Sequence, residues 1–133
     1  MSSKWSKILV VDDLADWRTT LSGLLTDEGY QVQVADSSAG ALKAFETDRF
    51  DLAVLDIRLN ERDEGNTEGL ELAAKIKERW PNVQVILITG YGTQAIMRQA
   101  LEANDKGQRL VADYIPKTQT EDLVKTVRKV LKE

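Results

Sequence analysis

The sequence predicts an α/β protein built on a doubly wound, five-stranded parallel sheet with helices on both faces. Three observations predict it. Short apolar runs alternate with stretches of helical apolar spacing in a strand–helix rhythm repeated five times within 133 residues. The runs at 8–11, 52–55 and 85–88 are continuously apolar, as in strands covered on both faces. Acids, a threonine and a lysine stand just downstream of apolar runs, where the ligand crevice of an open parallel sheet lies.

The elements follow in order. The first strand is expected over 7–11. The first helix, over 15–28, puts Trp17, Leu21, Leu24 and Leu25 inward, and Gly29 ends it. Gln31-Val32-Gln33-Val34-Ala35 alternates, which suits a second strand in a half-covered position. Ser37 or Ser38 caps a helix running through 47, with Ala41, Leu42 and Phe45 inward. A third strand over 52–55 is buried on both faces. The third helix, 68–80, is stopped by Pro81, which lacks an N–H and clashes with the preceding turn. A fourth strand over 83–88 leads into the turn Gly90-Tyr91-Gly92. A fourth helix over 93–103 and a fifth strand over 110–115 follow. Thr120 caps the last helix, which reaches 131 with Leu123, Val124, Val127 and Val130 facing in.

Composition narrows the function classes. At 133 residues, 42% apolar and 30% charged, the chain suits one globular domain, 1–133, and is too short for two ordinary ones. Without cysteine there is no disulfide and no thiol chemistry. Without histidine the commonest general base and transition-metal ligand are missing. A net charge of -4 argues against a surface built for nucleic-acid phosphates, and no direct nucleic-acid contact is expected. The run 8–11 is far too short for a signal-peptide core or a membrane span, so a cytoplasmic protein without a membrane partner is expected.

The chemistry concentrates at strand ends. Asp56 ends the run Phe50-Asp51-Leu52-Ala53-Val54-Leu55, the pair Asp12-Asp13 closes Ile8-Leu9-Val10-Val11, and Lys117 lies just past Tyr114-Ile115. Carboxylates at two strand ends, with a lysine beyond a third, point to a hard-cation site beside a reactive anion. Taken singly, each residue has an ordinary role. Asp12 can cap a helix, Asp13 and Asp16 can be first-turn acids, and Asp56 can be a turn residue. Lys117 can be solvated, Thr89 can cap a turn, and Tyr114 can be core. Their joint position is what separates them from those roles. Gly90-Tyr91-Gly92 lacks the pattern of a nucleotide phosphate loop. Trp5, Trp17 and Trp80 are read as packing residues, and the charged stretch 61–64 as solvated surface.

In these residues the chain resembles the receiver domain of bacterial two-component response regulators, a flavodoxin-like (βα)5 fold, over essentially its whole length. Asp12 and Asp13 match the family's metal-binding carboxylates, and Asp56 its phosphoryl acceptor. Thr89, after Val85-Ile86-Leu87-Ile88 and before Gly90, matches its hydroxyl residue. Tyr114 matches the aromatic switch position and Lys117 the lysine. Three departures stand out. Thr118 follows Lys117 where the family usually has proline, often after a cis bond. Such a bond before threonine would cost about 2.5–4 kcal/mol, so a different loop is expected, with Pro116 fixing its near side. The loop 58–68 is longer than usual, and the segment 104–109 is enlarged; polar insertions of this kind are tolerated cheaply.

The resemblance implies a mechanism. An aspartate can attack phosphorus and hold an acyl phosphate, and such transfer depends mainly on positioning and neutralisation of charge. Mg2+ suits these oxygen ligands: Asp13 directly, Asp12 directly or through water, one Asp56 oxygen, and the backbone carbonyl of Arg58. Lys117 contacts the carboxylate and then the phosphoryl group, and Thr89 donates its hydroxyl to a phosphoryl oxygen. Movement of Thr89 and inward rotation of Tyr114 then alter the face of the fourth helix, fifth strand and fifth helix. Arg58 and Tyr91, near the approach to the acceptor, are assigned to tuning hydrolysis. The donor is a partner histidine kinase or histidine phosphotransfer protein, since a chain without histidine cannot offer its own phosphohistidine.

The resulting expectation is a phosphorylation-controlled signalling receiver that assists its own phosphorylation and dephosphorylation rather than a conventional turnover enzyme. Its downstream protein target or output domain is not specified by the sequence. A free-standing regulator, a receiver within a longer polypeptide and a phosphorylation-dependent homodimer all fit. Two rivals are a phosphorylation-independent, receiver-like interaction module and a small Mg2+-dependent phosphatase using Asp56 as nucleophile. The second lacks an evident general acid and specificity pocket.

Overall fold

The computed structural model describes residues 6–59, 67–90 and 111–132. Trp5, the charged stretch 61–64, Tyr91, the expected fourth helix, the segment 104–109 and Leu110 lie outside the described residues. Five parallel strands, β1 (Lys7–Val11), β2 (Gln31–Ala35), β3 (Leu52–Asp56), β4 (Gln84–Thr89) and β5 (Asp113–Pro116), stand in the order β2-β1-β3-β4-β5. The winding reverses between β1 and β3, which creates the crevice at their carboxyl ends.

Alternation along the strands divides the core. Leu9, Val11, Ala53, Leu55, Val85 and Leu87 face α2 (Ser38–Thr47) and α3 (Glu68–Arg79). Ile8, Val10, Leu52, Val54, Ile86 and Ile88 face α1 (Ala15–Asp27) and the C-terminal helix (Leu123–Leu131). Every residue of β3 is buried, as its unbroken apolar run requires. Among the described residues β2 pairs with β1 alone, and at this sheet edge Val34 is 45% exposed although Val32, on the same face, packs against the core.

Local signals act where chemistry dictates. The Ser37 hydroxyl accepts a hydrogen bond from the Gly40 N–H at 3.1 Å and caps α2. Gly29 takes φ 97° after α1, a conformation glycine adopts without a Cβ clash. Leu21 and Leu25 are fully buried, whereas Trp17 and Leu24 are half-buried against the same core. Several boundaries shift. α1 stops at Asp27, and Trp80 is the cap of α3 rather than its last turn. β4 runs one residue later and includes Thr89. β5 begins at Asp113, because its ladder with β4 opens at the Ile86–Asp113 pair; Val111, upstream of it, is buried core. Thr120 is not the cap expected of it: it lies inside a 3-10 segment, Lys117–Asp122, and neither that segment nor the C-terminal helix has a side-chain cap.

One contact went unread in the sequence. Gly69, in the first turn of α3, sits against the backbone of the strand end. A Cβ there would lie 2.0 Å from the Asp56 carbonyl oxygen and 2.7 Å from Ile57 Cα, while the Gly69 N–H donates to the Ile57 carbonyl at 2.8 Å. Gly23, in α1, is the opposite case, with open space where its Cβ would be. Gly23→Ala should therefore stabilise the protein by about 0.5–1 kcal/mol, the usual helix-interior gain. Gly69→Ala should destabilise it by about 1–3 kcal/mol through the forced backbone shift. Urea unfolding of the two variants checks this, and equal effects of the same sign would refute it.

Candidate functional site

The carboxyl edge of the sheet gathers the acids. Asp12 follows β1; its N–H donates to the Ala35 carbonyl at 3.2 Å, continuing the β1–β2 pairing past the strand. Its Oδ1 accepts the Leu14 N–H at 2.9 Å, and Arg18 Nη1 donates to its carbonyl at 2.8 Å. Asp12 thus closes the turn into α1 without capping the helix itself, whose cap residue is Leu14. Asp56 ends β3 beside Ile88, and its Oδ1 accepts the Arg58 N–H at 3.3 Å. Asp12 is 0% exposed and Asp56 3%, while Asp13 is half-buried.

Lys117, immediately after β5, reaches back to both buried acids. Its Nζ donates to Asp56 Oδ2 at 3.2 Å and forms an ion pair with Asp12 Oδ2 at 3.0 Å. The side chain is only 9% exposed, and its ammonium lies 4.9 Å from the centroid of the Trp17 ring. No cis peptide bond occurs among the described residues, so the Lys117–Thr118 bond is trans and the chain enters the 3-10 segment directly.

One ammonium does not compensate for the burial of these acids. Burial pushes the Asp56 carboxyl up to about 7, the nearby Asp12 charge adds to the rise, and Lys117 opposes it. Asp12 is also raised, chiefly by burial, against the Leu14 hydrogen bond and Lys117. For Lys117, burial disfavours the charge, but Asp56 and Asp12 together outweigh it and the ammonium is raised. One oxygen each from Asp12, Asp13 and Asp56 lies within 4.8 Å of the others. If all three ionise, three negative charges face one positive charge, leaving an excess of two. Oxygen donors with that excess fit a hard divalent cation such as Mg2+.

The remaining expected residues that are described occupy the same edge or its border. Thr89 ends β4 opposite Pro116 and is 8% exposed. Tyr114, in β5, is half-buried against the core on the α2–α3 side. Arg58 presents its backbone N–H to Asp56, as given above. Tyr91 lies outside the described residues. Gly69, Arg18 and Trp17 were not read as part of this neighbourhood. The isolated glycine inside a helical pattern was a usable signal. For Arg18 and Trp17, helical periodicity hides a contact made at the helix start.

Comparison with known proteins agrees with this geometry. The family model described as the response regulator receiver domain matches residues 8–128. The transcriptional regulatory protein GlrR of Escherichia coli K12 is 36% identical over 93 residues, covering 70% of this chain and 20% of that protein. The chain therefore spans about a fifth of such a relative. The crystal structure of NtrX from Brucella abortus in complex with ADP superposes with a TM-score of 0.80 at 30% identity, covering 96% of this chain and 26% of that one. The response regulator TrrA from Thermotoga maritima, solved in complex with Mg2+ and BeF, gives a TM-score of 0.74 at 30% identity, covering 94% and 98%. No helix among the described residues is long and apolar enough to cross a membrane. With a strand order that sets three acids and a lysine on one sheet edge and a family match over 8–128, the chain belongs to the response regulator receiver domain family.

Proposed function

We propose that the chain is a phosphorylation-controlled signalling receiver in which Asp56 accepts a phosphoryl group from the phosphohistidine of a histidine kinase or histidine phosphotransfer protein. The observation that carries this reading is Asp56 itself: a buried strand-end carboxylate paired with Lys117, with an oxygen within 4.8 Å of oxygens of Asp12 and Asp13. Family membership and the Mg2+ and BeF bound to TrrA support it. Mg2+, held by Asp12, Asp13, Asp56 and the Arg58 carbonyl, would neutralise charge on the transferring group. Asp56 supplies the attacking oxygen, and Lys117 keeps its proton and follows the phosphoryl oxygens. The Thr89 hydroxyl donates to one of them, and Tyr114 answers by turning inward, changing the face offered to a downstream protein. Arg58 and Tyr91 govern the approach of water to the acyl phosphate.

Intact mass after incubation with Mg2+ and acetyl phosphate tests the assignment. One phosphoryl adduct is expected in the wild type, none in Asp56→Ala and none with excess EDTA. Folded wild type without an adduct under several donors would favour a phosphorylation-independent interaction module.

The Asp56 shift also predicts how stability responds to pH. Its folded-state value of about 7 exceeds the ordinary 3.8, so the folded protein retains a proton over that window that the unfolded chain has released. Metal-free stability should therefore fall as pH rises from about 4 to 7, by at most roughly 4 kcal/mol. Asp12 acts in the same direction, and the raised Lys117 matters only at alkaline pH. In EDTA, Asp56→Asn should melt higher than wild type at pH 8 and show a flatter pH dependence. Parallel pH profiles for the two proteins would rule this out.

A further inference from the structure

Lys117 has neighbours of three kinds. Its stem passes Gly90, where a Cβ would lie 3.6 Å from Lys117 Cδ. Its ammonium contacts the carboxylates of Asp12 and Asp56. The same ammonium stands 4.9 Å from the Trp17 ring centroid, within the range at which an indole face attracts a cation. Trp17 is itself anchored, half-buried on α1 against the core that includes Leu21, Ile115 and Leu123. Downstream of Lys117 there is less restraint: Thr118 and Gln119 are exposed, and Gln119 leaves helical geometry at φ -129° and ψ 41°.

We propose that Trp17 is a positioning residue for Lys117, holding the ammonium at the acidic site once a metal ion and a phosphoryl group claim the carboxylates. A divalent cation on Asp12 and Asp56 draws on the carboxylates that Lys117 pairs with and repels its charge. The indole ring is no metal ligand, so its attraction for the ammonium survives that competition. Trp17 thereby supplies, from α1, a restraint that no proline after Lys117 provides. The inference rests on the proposed phosphoryl transfer. With acetyl phosphate as donor, an Asp56 oxygen bonds to phosphorus, the phosphorus–oxygen bond to the acetyl group breaks, and acetate leaves with the electron pair. Lys117 remains protonated throughout.

A double-mutant cycle over wild type, Trp17→Leu, Lys117→Met and the double variant tests the pairing. It is read by the rate of adduct formation at saturating Mg2+ and by calorimetric Mg2+ affinity. Trp17→Leu should slow the reaction about tenfold, the scale of a partly desolvated cation–π contact, and Trp17→Phe should recover most of that loss. Mg2+ should also bind more weakly in Trp17→Leu, because the ammonium then rests more fully on the carboxylates. In the Lys117→Met background, Trp17→Leu should leave both readouts within about twofold. Losses of equal size in both backgrounds would assign Trp17 to packing and overturn the proposal, as would wild-type behaviour of Trp17→Leu. If thermal melting shows Trp17→Leu unfolded, Trp17→Met takes its place in the cycle. A wild type that forms no adduct would defeat the proposed function, while the Mg2+ measurements would still decide the Trp17–Lys117 pairing.

Discussion

The ion pairing of one ammonium with two buried carboxylates governs the arrangement of this molecule. Asp12 and Asp56 come from adjacent strands, but Lys117 follows β5, which is separated from β3 by β4. Its side chain must therefore cross the end of β4, where it passes Gly90 so that a Cβ there would lie at van der Waals distance. Burying two acids at 0% and 3% exposure carries a large desolvation cost, which a partner offsets only in part. The Asp56 carboxyl is raised in the direction that incomplete compensation requires. The capacity to take a cation arises from that deficit, and the sheet register fixes its location.

The opposite edge of the sheet also combines charged and aromatic residues, to another end. Phe45 packs edge-on to Phe50 at 5.1 Å and stacks on Trp80 at 4.9 Å, closing the core there. Arg79 lies 4.4 Å over Trp80 and pairs with Glu46, but that pair is half-exposed at 50% and 55%. Solvent screens such contacts, so they contribute little to stability and create no pent-up charge. What gives the charges at the two edges different weight is their burial.

Much of this was legible in the chain because strand ends concentrate meaning. β1 and β2 fall where their apolar patterns put them, and the continuous run of β1 reports its two-sided cover, whereas β2 is partly covered by Val32 on one face and Ala35 on the other. The acids and Lys117 could be placed because a parallel sheet brings all strand carboxyl ends to one edge. Contacts set by three-dimensional approach were harder to read. Gly69 meets Asp56 and Ile57 through backbone alone, and Trp17 meets Lys117 across a hundred residues of chain. Thr120 misled because a good capping residue says nothing of whether a 3-10 segment precedes the helix.

The backbone seat of Gly69 imposes a rule on how this region can be rebuilt. The stretch between Leu59 and Thr67 can be lengthened or shortened at small entropic expense. Whatever its length, it must return the chain to α3 so that a residue without a side chain lands against the strand end. Grafts from relatives with other loop lengths should accordingly be aligned on this glycine, not on the count of residues from Asp56. A splice displaced by one position would drive Glu68 or Leu70 into the carbonyl of the very residue whose side chain the edge exists to present.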